Sequence, residues 1–176
     1  MRLGFNEAND RFCQGHTVMQ DLELCEKYGF DCIDIQSECL NRDLEKGIVT
    51  IEELGAWFAT HHLKMLSYNA LCFFNMKQTA EEKQAVMDEL DEIIRRCNIL
   101  GCKMIVVVPS QDMKARGLQP TRKEIREDAV AVLKEMVKKV EPHGIKLSLE
   151  FCGAPDMTIN RFEDAYAIVE AVDSPL

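Results

Sequence analysis

The chain has 176 residues, 47% of them apolar and 29% charged, which suffices for a packed core and excludes a disordered segment. A formal net charge of −9 repels phosphate backbones and argues against nucleic acid as a partner. No apolar run reaches membrane-spanning length, and the opening MRLGFNEAND lacks the zones of a signal peptide, so the expected compartment is the cytoplasm, with no membrane partner.

In chain order, strands are predicted near 2–7, 31–36, 63–69, 103–109 and 145–151. Helices are predicted near 17–28, 50–61, 79–100, 121–141 and 160–172. Four helix starts carry the capping-box pattern: Thr17 with Gln20, Thr50 with Glu53, Thr79 with Glu82, and Thr121 with Glu124. The fifth has Asn160 as its cap, with Glu163 three residues on. At the other end, CEKYGFDCIDI, NILGCKMIVV and EPHGIKLSLE each pass from a helix through a glycine into an apolar strand. Gly29, Gly101 and Gly144 suit the left-handed position just past a helix.

Regular β-α alternation with short connections implies a parallel sheet covered by crossover helices. No stretch resembles a linker, so residues 1–176 read as one domain. The strand period separates two faces. In GIKLSLEFCG, Ile145, Leu147, Leu149 and Phe151 should face helices, while Lys146, Ser148 and Glu150 face the other way. In the second strand, Ile33 and Ile35 oppose Cys32, Asp34 and Gln36. Polar residues near the carboxyl ends of strands fit a TIM-type α/β barrel with a ligand site at its centre. A flavodoxin-like open sheet is the rival, but Asn6-Glu7-Ala8-Asn9-Asp10 after the first strand offers no glycine-rich phosphate turn.

Eight cysteines stand at 13, 25, 32, 39, 72, 97, 102 and 152, never as CxxC, and are expected to be reduced and structural. Glu150 is the residue that calls for a reason. A carboxylate at the end of an apolar strand stays ionised by binding a divalent cation, by pairing with a Lys or Arg, or by accepting several hydrogen bonds. Spacing alone leaves these open. Trp57 and Phe58 read as core, and His61 and His62 as structural residues at a helix end. His16 is a weak candidate near the first loop, and His143 lies at the wrong end of its strand.

FNEA at 5–8, DLELCEKYGFD at 21–31, THHLKMLSYNALCFFN at 60–75, KLSLEFCG at 146–153 and TINRFEDAYAIVEAV at 158–172 together resemble the inosose isomerases of inositol catabolism. These belong to the xylose-isomerase-like (β/α)8 superfamily. The resemblance implies a metal-dependent isomerase of keto-sugars or keto-inositols, working through an enediol. It implies a divalent ion (Mn, Zn, Co or Mg) with Glu150 as a ligand and as a participant in proton transfer. Asn6, Glu7 and Asn69, at strand ends, would hydrogen-bond ring hydroxyls, with turn or cap roles as the plain alternative. Phe73 and Phe74 would line the pocket or pack their loop.

Only about the first five βα units of such a barrel are legible here. The family's other metal ligands, an Asp, a His and a second Glu, would follow Leu176. The expectation is therefore a C-terminally incomplete barrel, inactive as this chain alone, whose open edges invite self-association. The alternative is a partial-barrel binding or scaffold protein without catalysis. A DNA-repair role like that of endonuclease IV would need a basic groove and fits least.

Overall fold

Three glycines end helices in the left-handed region, Gly29 at φ 75°, Gly101 at φ 71° and Gly144 at φ 61°, and each hands the chain to a strand. The computed structural model that shows this describes residues 1–9 and 15–176. Cys13 and Asp10 lie outside the described residues. The elements in order are β1 (Gly4–Asn6), α1 (Val18–Lys27), β2 (Cys32–Gln36), α2 (Ser37–Glu45), α3 (Ile51–Thr60) and β3 (Lys64–Cys72). They continue with α4 (Ala80–Leu100), β4 (Met104–Val108), α5 (Arg122–Val140), β5 (Lys146–Leu149) and α6 (Phe162–Val172). The strands form one five-stranded sheet in chain order, and the β1–β2 and β2–β3 ladders are parallel.

The capping boxes form as the sequence requires. Thr17, Thr50 and Thr121 each accept from the backbone N–H three residues on, and Gln20, Glu53 and Glu124 bond back to the cap backbone. Thr79 and Glu82 exchange the same pair of bonds at 3.1 and 3.4 Å. Two expectations need correction. The sixth helix is capped by Arg161 without a side-chain bond; Asn160 instead points its amide back at the carbonyls of Ala154 and Pro155. Helix α2 was not foreseen, because it follows β2 directly from Gln36, with no capping side chain to announce it.

The chain packs as two compact units, Met1–Ala70 with Ile93–Ile105, and Leu71–Glu92 with Val106–Leu176. In the first, Val18, Leu22, Ile33, Ile35, Leu40, Leu54 and Leu63 are fully buried. Each contributes about 1.5–3 kcal/mol by leaving water. Gly55 lets α3 touch the end of α4, since a Cβ there would lie 2.9 Å from the Ile99 carbonyl oxygen. Asp43, wholly buried, accepts from the Val18 amide at the start of α1 and from Arg42 Nε, both at 2.8 Å. Arg96 donates to Asn41 Oδ1 and to the Tyr68 hydroxyl, tying α4 to α2 and β3.

In the second unit, Leu147 and Leu149 line a small cavity with Leu133, Val137, Val169 and Val172, so the aliphatic face of β5 does turn to α5 and α6. Phe151 extends that contact, meeting Phe162 edge-on at 5.8 Å. Arg122 and Arg126 of α5 both reach Asp164 of α6. The seven described cysteines are free thiols. Among the described residues no helix is long and apolar enough to cross a membrane.

The Thr50 hydroxyl above all holds the Glu53 carboxyl below its ordinary range, and the Thr121 amide, followed by its hydroxyl, does the same for Glu124. A carboxyl lowered by folding stabilises above its unfolded value of about 4.3, and that gain is lost as pH falls through the folded value. Thr121→Ala should therefore raise the Glu124 pKa part-way back and lower the thermal midpoint at neutral pH. Carbon-detected NMR titration checks this, and an unmoved Glu124 would contradict it.

Candidate functional site

Within the first unit, Asn6 ends β1 and Glu7 follows it, but Asp34 lies inside β2 and Ser67 and Asn69 lie inside β3, which continues to Cys72, so Asn69 is not at a strand end as expected. Asn6 is exposed at the end of β1. Its Oδ1 accepts from the Ala8 amide at 2.9 Å, and its carbonyl accepts from Asn9 Nδ2, so it organises the 3-10 turn Glu7–Asn9. Glu7 is fully buried and accepts from the Gln36 amide at 2.7 Å, which fixes the junction of β2 and α2. Its carboxylate faces protein. Asn69 is half-buried and donates to Asp34 Oδ2 at 3.0 Å, while Ser67 donates to Asp34 Oδ1. Asp34, Ser67 and Asn69 thus share the face opposite Ile33 and Ile35. The β2–β3 register, shifted by a bulge between Ile33 and Asp34, sets Asp34 beside Ser67 and Gln36 beside Asn69.

His16 Nδ1 lies 3.0 Å from Asp21 Oδ1, and His62 Nε2 lies 3.3 Å from Asp31. His61 stacks on Trp57 at 3.9 Å with its Nδ1 on the Trp57 carbonyl. His16 and His61 are occupied by residues of their adjoining helices, and His62 by Asp31 ahead of β2. Phe58 is buried, and Trp57 half-buried, as core residues should be.

Within the second unit, Glu150 stands one residue beyond β5. Its amide still donates to the Val107 carbonyl at 3.1 Å, so its backbone is held by the ladder while its side chain is exposed. None of the described residues gives the Glu150 carboxylate a hydrogen bond or an ion pair. The Cys152 thiol is pushed up by burial first and by the Glu150 charge second.

Phe73 follows β3 at φ 60° and is 39% exposed, whereas Phe74 is buried with its amide on the Val108 carbonyl. A side chain other than glycine held there costs about 1–2 kcal/mol, which the anchoring of Phe74 offsets. The sequence reading missed the buried brace beside it. Asn75 Oδ1 accepts from the Ser110 amide at 2.7 Å and meets Thr158 Oγ1 at 3.3 Å, while Ser110 Oγ donates to the Asn75 carbonyl. This joins the loops after β3, β4 and β5. The only advance signal was that Asn75 and Ser110 lie just past strand ends.

Divalent ions need several donors. Among the described residues no three His, Cys, Asp or Glu side chains could hold a metal ion together. Glu150 supplies one donor. The residues present do not by themselves fit a divalent cation.

Residues 22–176 match the xylose isomerase-like TIM barrel family. The chain belongs to that family. Barrel relatives include an inosose isomerase of Bacillus velezensis, 37% identical over 172 residues, covering 98% of this chain and 59% of that protein. An inosose isomerase of Halalkalibacterium halodurans is 35% identical over 172 residues, covering 98% of this chain and 58% of its own length. A crystal structure of the IOLI protein with a zinc atom superposes with a TM-score of 0.89 at 36% identity, covering 99% of this chain and 60% of that one. The chain thus spans about three-fifths of the length of these relatives.

Asn75→Ala should leave the Ser110 amide without its acceptor inside the protein and cost about 1–3 kcal/mol. Urea unfolding at unchanged slope reads it, and a loss under about 0.5 kcal/mol would contradict the brace.

Proposed function

We propose that this barrel domain, spanning residues 1–176, serves an isomerase of keto-sugars, with a keto-inositol as substrate, acting in inositol catabolism in the cytoplasm. One observation carries the reading: the inosose isomerases of Bacillus velezensis and Halalkalibacterium halodurans align with 98% of the chain. The exposed Glu150, with no described ionic partner, agrees with it.

Such an isomerisation removes a proton from the carbinol carbon beside the carbonyl and returns one to the former carbonyl carbon. Nothing is oxidised overall, because the carbonyl moves between neighbouring carbons. The chain needs a group that accepts and gives back that proton, and a carboxylate does so within hydrogen-bond reach. Glu150 is the proposed proton carrier. Its position just past a ladder bond fixes the backbone while leaving both carboxylate oxygens to the ligand. Phe73 is proposed to lie against the apolar face of the ring. In the first unit, Asn6 and Asn69 are proposed to meet hydroxyls, and Glu7 to act as a positioning residue through Gln36.

The relative with a zinc atom supports a divalent ion as cofactor. Glu150 would be one of its donors. No step is assigned to the ion.

In the intact enzyme, Glu150→Gln should lower kcat for keto-inositol isomerisation at least about 100-fold, with the thermal midpoint of the metal-stripped protein unchanged because the side chain is exposed. Elemental analysis of the same variant should show less bound divalent ion. Wild-type kcat with Gln at this position would overturn the assignment.

A further inference from the structure

The parallel ladder between β2 and β3 carries a bulge. Ile33 stands beside Met65, but Asp34 stands beside Ser67, so Leu66 is the extra residue. Bulges are rare between parallel strands and are over-represented beside active sites, where they re-aim side chains. A regular ladder would set Leu66 against Asp34. With the bulge, Leu66 is 46% exposed, and Ser67 and Asn69 share the face of Asp34. We infer that Asp34 is a positioning residue. It holds the Asn69 side-chain amide by its nitrogen, so that the amide oxygen is turned to the ligand and accepts from a ring hydroxyl, a role that rests on the keto-inositol reading above.

The carboxylate fixes the orientation. An ionised carboxyl group only accepts, so whatever it meets must donate. Ser67 Oγ donates to Asp34 Oδ1, and Asn69 Nδ2 donates to Asp34 Oδ2 at 3.0 Å. Turning the Asn69 amide over would set its oxygen against the carboxylate, and the two would repel. The amide therefore has one stable orientation. Without Asp34 its nitrogen and oxygen would exchange places freely, and some molecules would present a donor where the ligand needs an acceptor.

Asn69, and not Ser67, is the group that a ligand reaches. Ser67 is 4% exposed, with its hydroxyl hydrogen spent on Asp34. Asn69 is half-buried, and among the described residues its Oδ1 has no partner. The chain on either side is held. Tyr68, buried beside Ile35, accepts at its hydroxyl from Arg96 Nη1 at 3.0 Å, and the Ala70 amide donates to Ser37 Oγ at 3.2 Å. The charge of Asp34 behind the amide also polarises it, which strengthens the oxygen as an acceptor.

The test reads the amide and the ligand separately in the intact protein. Proton–nitrogen NMR of the wild type should show one Asn69 Nδ2 hydrogen shifted downfield by the carboxylate. Asp34→Asn, which offers one acceptor oxygen in place of two, should abolish that shift while the spectrum keeps native dispersion. The wild-type resonance reads the contact even where Asp34→Asn fails to fold. By calorimetry, Asp34→Asn and Asn69→Ala should each weaken myo-inositol binding about tenfold, and the double variant no more than either alone, because Asp34 acts through Asn69. In keto-inositol turnover, Asp34→Asn should raise KM about tenfold and leave kcat within about threefold, the pattern of an interaction made equally before and in the transition state.

An unshifted Asn69 amide in the wild type, wild-type affinity in folded Asp34→Asn, or additive losses in the double variant overturns the inference. A wild type with the shifted amide that binds no myo-inositol overturns the hydroxyl contact. The expected shift and binding pattern, together with no keto-inositol turnover by the wild type, upholds the roles of Asp34 and Asn69 and overturns the isomerase reading alone.

Discussion

Within a parallel sheet the backbone of each strand is consumed by its neighbours, and helices consume one of its two faces. What remains for chemistry is the other face and the residues just past the last ladder bond. Glu150 occupies such a place, with its amide on Val107 and its carboxylate exposed. Asp34, Ser67 and Asn69 occupy the free face in the first unit, where they satisfy one another. The contrast separates their roles. A carboxylate whose two oxygens are taken within the sheet, as in Asp34, holds geometry, and one left exposed at a strand end is available to a ligand.

A second regularity is the way buried polar side chains are spent. Asp43 accepts from the Val18 amide, Glu7 from the Gln36 amide and Asn75 from the Ser110 amide, all three side chains being fully buried. Each takes a backbone donor at a place where a helix starts or a strand gives way to a loop, and where no ladder bond is available. Leaving such a donor unmet inside a protein is expensive, so these residues fix where the loops begin. The left-handed residues Phe73, Met76 and Asp112 lie in the same loops, whose conformation is set by bonds and not by local preference.

Most of the fold could be read from the chain because its signals are local. A Thr with a Glu or Gln three residues on sets a helix start, and a glycine past a helix sets its end, whatever the rest of the molecule does. Helix α2 escaped because Gln36 offers no capping bond and its start is set by the buried Glu7 carboxylate, a contact 29 residues away in sequence. Asn160 was misread because its amide turned back to loop carbonyls. Strand alternation and chain order were enough to place Glu150 just past β5 and Phe73 just past β3. The Asn75, Ser110 and Thr158 brace was not, since it joins three loops whose pairing no periodicity encodes.

The account stands on Glu150 as the group that moves a proton beside a carbonyl. The direct measurement is exchange of that C–H proton for solvent deuterium, followed by proton NMR of a keto-inositol incubated with the intact protein in heavy water. Exchange in the wild type and its loss in Glu150→Gln is the predicted result. Exchange that continues unchanged in Glu150→Gln would contradict the account.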